Sequence, residues 1–297
     1  MKAERSARLQ IITAMVLFGT IGIFVRHIPL PSSIIALVRG AVGSIFLLAV
    51  TLLRGKKLDW NSVKKNLPVL VCSGAFLGFN WILLFEAYRY TTVSTATLCY
   101  YMAPIIVILV SPVLLREKLT VKKLVCVLAA LLGMVGVSGV LQSGIPSAGE
   151  LRGIVLGLSA AALYGAIMLL NKFLRNISAF ERTITQLGIS AVVMAVYCAA
   201  TVEFHTLTPS IAGVALLLLV GVLHTGVTYY LYFGSMAKLP GQTVAIISYI
   251  DPVVAVLASV LLLGEPMAMG EVLGALLVLG AALVSEVDLP GRKGASK

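Results

Sequence analysis

The sequence predicts an all-α integral membrane protein: ten transmembrane helices forming two inverted five-helix repeats, with both termini cytoplasmic. Three observations carry this. The 297-residue chain is 59% hydrophobic and 12% charged, whereas soluble domains sit near ~45–50% apolar and ~25% charged. Residues Gly78–Val140 align with Gly226–Asp288 without a gap. The short loops are alternately rich and poor in Lys and Arg.

Apolar runs of about 20 residues, enough to cross a ~30 Å hydrocarbon layer, recur along the chain. They place spans at about residues 9–26, 32–53, 67–88, 93–115, 120–140, 152–172, 179–201, 209–236, 241–263 and 268–287. Turn and charge punctuation separates them, including Pro29, Pro31, Arg54, Pro146, Pro209, Pro240 and Pro266. The first run follows a basic head, has no small-residue cleavage site and reads as a retained helix.

Orientation follows from the basic residues. One side holds Lys2, Arg5 and Arg8, then Arg54 to Lys65, Arg116 to Lys123, Lys172 to Arg182, Lys238 and the tail. The other holds only Arg26, Arg89 and Arg152, and Arg39 lies within a span. The basic side should be cytoplasmic. Five spans per half is an odd number, so the second half enters from the opposite side. A pseudo-two-fold axis then lies in the membrane plane, and a substrate site is expected near the midplane between repeats. The halves are residues 1–141 and 152–297, the latter with a short cytoplasmic tail. Residues 142–151 form a linker containing Ser, Gly and Pro.

The repeat is informative at individual positions. Tyr101 aligns with Tyr249, Pro104 with Pro252, Ser111 with Ser259 and Glu117 with Glu265. Prolines matched at membrane depth disturb the helix ladder at equivalent places, making Pro104 and Pro252 candidate helix breaks or gates. Glu117 and Glu265 read as loop and helix-end anchors. Asp251 departs from the pattern, since Ala103 stands at its place. Arg39 has no basic counterpart either.

Ionisable groups at membrane depth are costly and usually face protein or water. Asp251 falls about ten residues into its span, roughly 15 Å along the axis. A carboxylate there can hold a substrate ammonium, carry a proton or make a structural pair. Arg39 lies about 10–12 Å from the outer surface by the same rise. Its guanidinium can clamp a carboxylate, or pair with Asp251 or Glu86. Glu86 lies three residues before Arg89, which permits an on-helix pair; it is also a candidate for the exit path.

Uncharged polar and aromatic residues complete a candidate substrate site: Asn80, Trp81, Tyr101, Tyr164, His224, Thr228, Tyr229, Ser248 and Tyr249. Tyr100, Asn171, Gln186 and Tyr232 belong to the same pattern of polar groups in spans. His224, Thr228 and Tyr232 step by four and would share one helix face. A cavity of aromatic rings with a few hydrogen-bonding groups suits a small amphipathic or zwitterionic solute. Each of these residues can alternatively serve interhelical hydrogen bonding.

Other chemistry finds no support. Cys72, Cys99, Cys126 and Cys198 form no CxxC pair and read as packing residues. His27, His205 and His224 lack metal-ligand spacing. No GxSxG, HExxH, Rossmann or P-loop motif occurs, so neither an enzyme nor direct ATP drive is indicated. No metal or cofactor is expected. The net charge of +11 reads as membrane orientation, and no nucleic-acid interface is expected. The expected partners are a small-molecule substrate and the lipid bilayer. The GxxxG-spaced pairs Gly74/Gly78, Gly153/Gly157 and Gly270/Gly274 allow close helix approach within a monomer or across a homodimer.

The chain resembles EamA-type members of the drug/metabolite transporter superfamily. The resemblance rests on AMVLFG in span 1, ALVRG around Arg39, APIIVILVSPVLLREKLT in span 4 and its twin SYIDPVVAVLASVLLLGEPM in span 9. It covers nearly the whole chain. It implies a multi-pass carrier of the bacterial inner membrane, commonly an exporter of amino acids or related metabolites working by alternating access. An efflux carrier for cationic, lipophilic or guanidinium-like compounds is the alternative.

Overall fold

The structure, a computed structural model, describes residues 2–114, 120–137, 146–236, 238–239 and 247–286. Glu117, residues 142–145 of the linker and the basic tail lie outside these. Every regular element among the described residues is helical. In chain order the first half contains α1 (Lys2–Arg26), α2 (Ser32–Leu53), a short α3 (Trp60–Lys65), α4 (Leu67–Tyr90), α5 (Val93–Tyr100), α6 (Ala103–Leu114) and α7 (Val121–Val137). The second half contains α8 (Ala148–Asn171), α9 (Ala179–Thr201), α10 (Ile211–Leu219), a π-helical segment (Val220–Val227), α11 (Thr228–Met236), α12 (Ile250–Leu263) and α13 (Met269–Glu286).

Among the described residues, seven helical stretches are long and apolar enough to cross a membrane: Glu4–Arg26, Ser32–Leu53, Leu67–Tyr90, Val93–Leu114, Ala148–Asn171, Ala179–Thr201 and Ile211–Ser235. The chain is thus a multi-span membrane protein. α7, α12 and α13 are shorter, and each has undescribed residues nearby at 138–145, 240–246 or 287–297. Large apolar side chains stay exposed on the outside of the bundle, among them Ile45, Val113, Leu132, Val192, Leu261 and Leu276. A lipid-facing surface can keep them because helices satisfy their own backbone groups.

The local sequence explains the helix ends. Ser147 with Glu150 and Ser178 with Glu181 are reciprocal capping boxes that start α8 and α9. Asp59 caps α3, a helix absent from the sequence-based plan, by accepting from the backbone N–H groups of Asn61 and Ser62. α12 ends at Gly264, whose φ of 64° is left-handed and costs glycine little. That cap turns Glu265 back towards Ser259 of the same helix.

The predicted fourth and ninth spans share a break. α5 stops at Tyr100 and α6 begins at Ala103, with Pro104 in its first turn. In the second half a turn falls at Tyr249, and α12 follows with Asp251 and Pro252 in its first turn. Proline lacks the N–H that a continuous helix would donate, but is tolerated in a first turn, so it restarts the helix.

Glycines set the closest helix approaches. A Cβ on Gly274 of α13 would lie 2.5 Å from the Gly133 carbonyl oxygen of α7, so these backbones touch. Gly74 and Gly78 face α9, while Gly153 and Gly157 face Thr91 and Cys99. The GxxxG-spaced glycines thus meet neighbours within the chain.

Two ends of the bundle can be told apart by their contacts. At the basic end, the Asn66 side chain donates to the Arg175 carbonyl at 2.8 Å, and the Asp59 N–H donates to Glu181 at 2.8 Å. At the far end, Arg26, Leu30, Arg89, Val93 and Glu265 come together.

Candidate functional site

A cavity of about 450 Å³ lies between the halves of the bundle. Its wall takes residues from α1, α2, α4, the α5–α6 break, α8, α9, α11 and the start of α12. It extends to Asn171, the last residue of α8, and Arg182 in the first turn of α9, both towards the basic end.

Arg39 sits on α2 with only 4% of its surface exposed. Its Nε donates to Thr225 Oγ1 at 2.9 Å, and Thr225 in turn donates to the Val220 carbonyl within the π segment. The guanidinium lies 4.1 Å from the Trp81 ring centroid and 5.4 Å from that of Phe85. Aromatic faces stabilise a cation without neutralising it. Among the described residues Arg39 makes no ion pair.

Asp251 faces the same cavity from the first turn of α12, where a carboxylate complements the helix dipole. Tyr101 Oη donates to its Oδ2 at 2.6 Å, a bond that joins the two broken helices. Gly19 lets α1 pass over this point, since a Cβ there would lie 2.5 Å from the Asp251 carbonyl oxygen. Arg39 and Asp251 do not pair with each other; each is held by neutral groups.

Aromatic rings line the same cavity. Tyr100 stacks on Tyr164 with centroids 5.1 Å apart, and Tyr101 approaches Tyr249 at 6.5 Å. Phe18 packs edge-on against Tyr229 at 5.3 Å. Ser248 and Pro104 also line the cavity. At the basic end Gln186 Nε2 donates to Ser73 Oγ at 2.7 Å and to Asn171 Oδ1 at 2.8 Å.

Similarity to known proteins gives the kinship of this helical bundle. The model of a family described as the EamA-like transporter family matches residues 5–139 and again residues 151–286. The chain belongs to this family of the drug/metabolite transporter superfamily. An uncharacterized transporter of Bacillus subtilis is 31% identical over 267 residues, covering 89% of this chain and 84% of the relative. An uncharacterized transporter of Archaeoglobus fulgidus is 27% identical over 241 residues, covering 79% and 81%. A solved crystal structure of a protein superposes with a TM-score of 0.67 at 18% identity, covering 94% of this chain and 97% of that one. That likeness concerns the fold.

Within this transporter fold, five residues expected at the site stand off the cavity wall. Asn80 is fully buried and donates to the Ala160 carbonyl at 2.6 Å, tying α4 to α8. His224 meets Thr20 Oγ1 at 3.2 Å and packs on Phe24. Thr228 donates to the Leu223 carbonyl five residues back. His224 lies in the π segment and Thr228 opens α11; of this stretch Tyr229 and Tyr232 reach the cavity while His224 and Thr228 do not. Pro252 is buried behind Asp251.

The fifth is Glu86, which belongs to the far end. It accepts from Ser32 Oγ at 2.6 Å and lies 3.7 Å from Arg89, which donates to the Leu30 carbonyl. Beside it Glu265 accepts from Arg26, from Ser259 and from the Val93 N–H that opens α5. One carboxylate thereby links α1, α5 and the end of α12. Sequence reasoning missed Arg182 as a cavity residue, because it counted only as a loop charge. The signal was present: Arg182 and Gln186 are four apart and share a helix face.

Proposed function

We propose that the chain is a secondary transporter that exports amino acids or related small metabolites across the bacterial inner membrane by alternating access. One observation carries this reading: a cation, Arg39, and a carboxylate, Asp251, face one cavity without neutralising each other. A zwitterion supplies the missing partners, with its carboxylate on Arg39 and its ammonium on Asp251. The tyrosines and Trp81 exclude water and shape the space for a side chain. The two separate family-model matches support an inverted duplication, with the cavity between its halves. With the basic end cytoplasmic, this is the inward-facing arrangement, because the wall runs to Arg182 while Arg26 and Glu265 close the far end.

Asp251 is also the natural proton carrier if export is proton-coupled. The test is counterflow of radiolabelled amino acids in proteoliposomes, with and without a pH gradient, for the wild type, Asp251→Asn and Arg39→Gln. Both variants should lose uptake. Unchanged uptake, affinity and pH dependence would refute the reading. A second reading, efflux of cationic compounds, draws on Asp251 among Tyr101, Tyr164 and Tyr249. A quaternary ammonium that competes where no amino acid does would favour it.

A further inference from the structure

Arg182 is an ionic group that a simple zwitterion leaves unused. It lines the cavity from the first turn of α9 and makes no ion pair among the described residues. The adjacent carboxylate is turned away: Glu181 accepts from the Asp59 and Ser178 N–H groups. Apart from Asp251, every carboxylate whose side chain is described serves a helix end or an ion pair elsewhere, and none lines the cavity. The wall therefore presents two guanidiniums against one carboxylate.

The surroundings of Arg182 are rich in donors. Asn171 has its amide oxygen engaged by Gln186, which leaves its N–H groups to donate. Thr183 adds a hydroxyl on the same wall. The spacing suits a small molecule. Gly40, next to Arg39, packs on Leu187 and Ala191 of α9. Arg182 lies five to nine residues nearer the basic end, roughly 8–14 Å of helix rise. Both side chains line the one cavity, so a single small molecule can touch both.

We propose that Arg182 makes the cavity selective for solutes with a second anionic group, so that the preferred cargo is a dicarboxylic amino acid or a metabolite of that charge pattern. One carboxylate meets Arg39, the ammonium meets Asp251, and the second carboxylate meets Arg182 and Asn171. This rests on the amino acid reading above and goes further by naming the substrate class.

Glutamate and glutamine test it, being nearly equal in shape and different in charge. Full-length protein in proteoliposomes is assayed for glutamate counterflow and for competition by each compound. The wild type should prefer glutamate by about tenfold or more, the scale of a charge-assisted bond. Arg182→Gln should bring the ratio close to one, Arg182→Lys should retain part of it, and Arg39→Gln should weaken both ligands. Size-exclusion profiles and thermal midpoints check that the variants fold. Equal competition by both compounds in the wild type, or a ratio unmoved by Arg182→Gln, overturns the selectivity and leaves the amino acid reading standing. If neither amino acid competes and a quaternary ammonium does, both proposals fall.

Discussion

The two ends of this molecule use charge in opposite ways. At the far end the ionic groups complete one another: Glu265 holds Arg26, Ser259 and the Val93 N–H, and Glu86 holds Ser32 beside Arg89. In the cavity they do not: Arg39 and Asp251 are held by neutral groups, and Arg182 makes no ion pair among the described residues. A charge that a protein neutralises internally serves its architecture. A buried charge with no ionic partner, as at Arg39, costs stability.

The strongest way to break this contrast is Arg39→Met. Counterflow should fall about 100-fold or more, the scale of truncating a desolvated charged contact to the ligand. The thermal midpoint should hold or rise, because a nearly buried unpaired cation is replaced by apolar volume. A large drop in the midpoint would mean that Arg39 is structural after all. The next effect belongs to the far end. Glu265→Ala removes the shared acceptor and should cost roughly 2–3 kcal/mol by thermal or denaturant unfolding. An unchanged midpoint would show that this end is not a tie. The smallest effect sharpens the comparison within the cavity. Tyr101→Phe deletes one neutral donor to Asp251, and ligand affinity measured by thermal shift should change by about 1 kcal/mol, a few-fold in Kd. A complete loss would instead place Tyr101 in direct contact with the cargo.

Much of this was legible in the sequence, for reasons tied to particular residues. Arg39 and Asp251 stood out because charges within apolar spans are rare. Tyr101, Pro104, Tyr249 and Pro252 stood out because they recur in register, and a proline acts on its own backbone wherever it sits. Other features escaped. Asn80 looked like a ligand group, yet it donates to a backbone carbonyl of α8 that no sequence pattern reveals. His224, Thr228 and Tyr232 should have shared a face at 3.6 residues per turn, yet only Tyr232 lines the cavity, while His224 meets Thr20 and Thr228 donates to the Leu223 carbonyl. Glu265 does sit at a helix end, bonded to Ser259 and to the N–H that opens α5, but its ionic partner, Arg26 at the end of α1, could not be read from the sequence.

The sequence by itself determined the properties that follow from local chemistry: apolar lengths, the helix caps, the proline breaks and the repeat. Each depends on residues close together in the chain or on counts along it. Only the tertiary structure decided which charges meet. Arg26 found Glu265 and Tyr101 found Asp251, 239 and 150 positions away, while Arg39 and Arg182 found no carboxylate among the described residues. Hydrogen bonds and ion pairs form only within a few ångströms, and distance in space is set by how the helices cross.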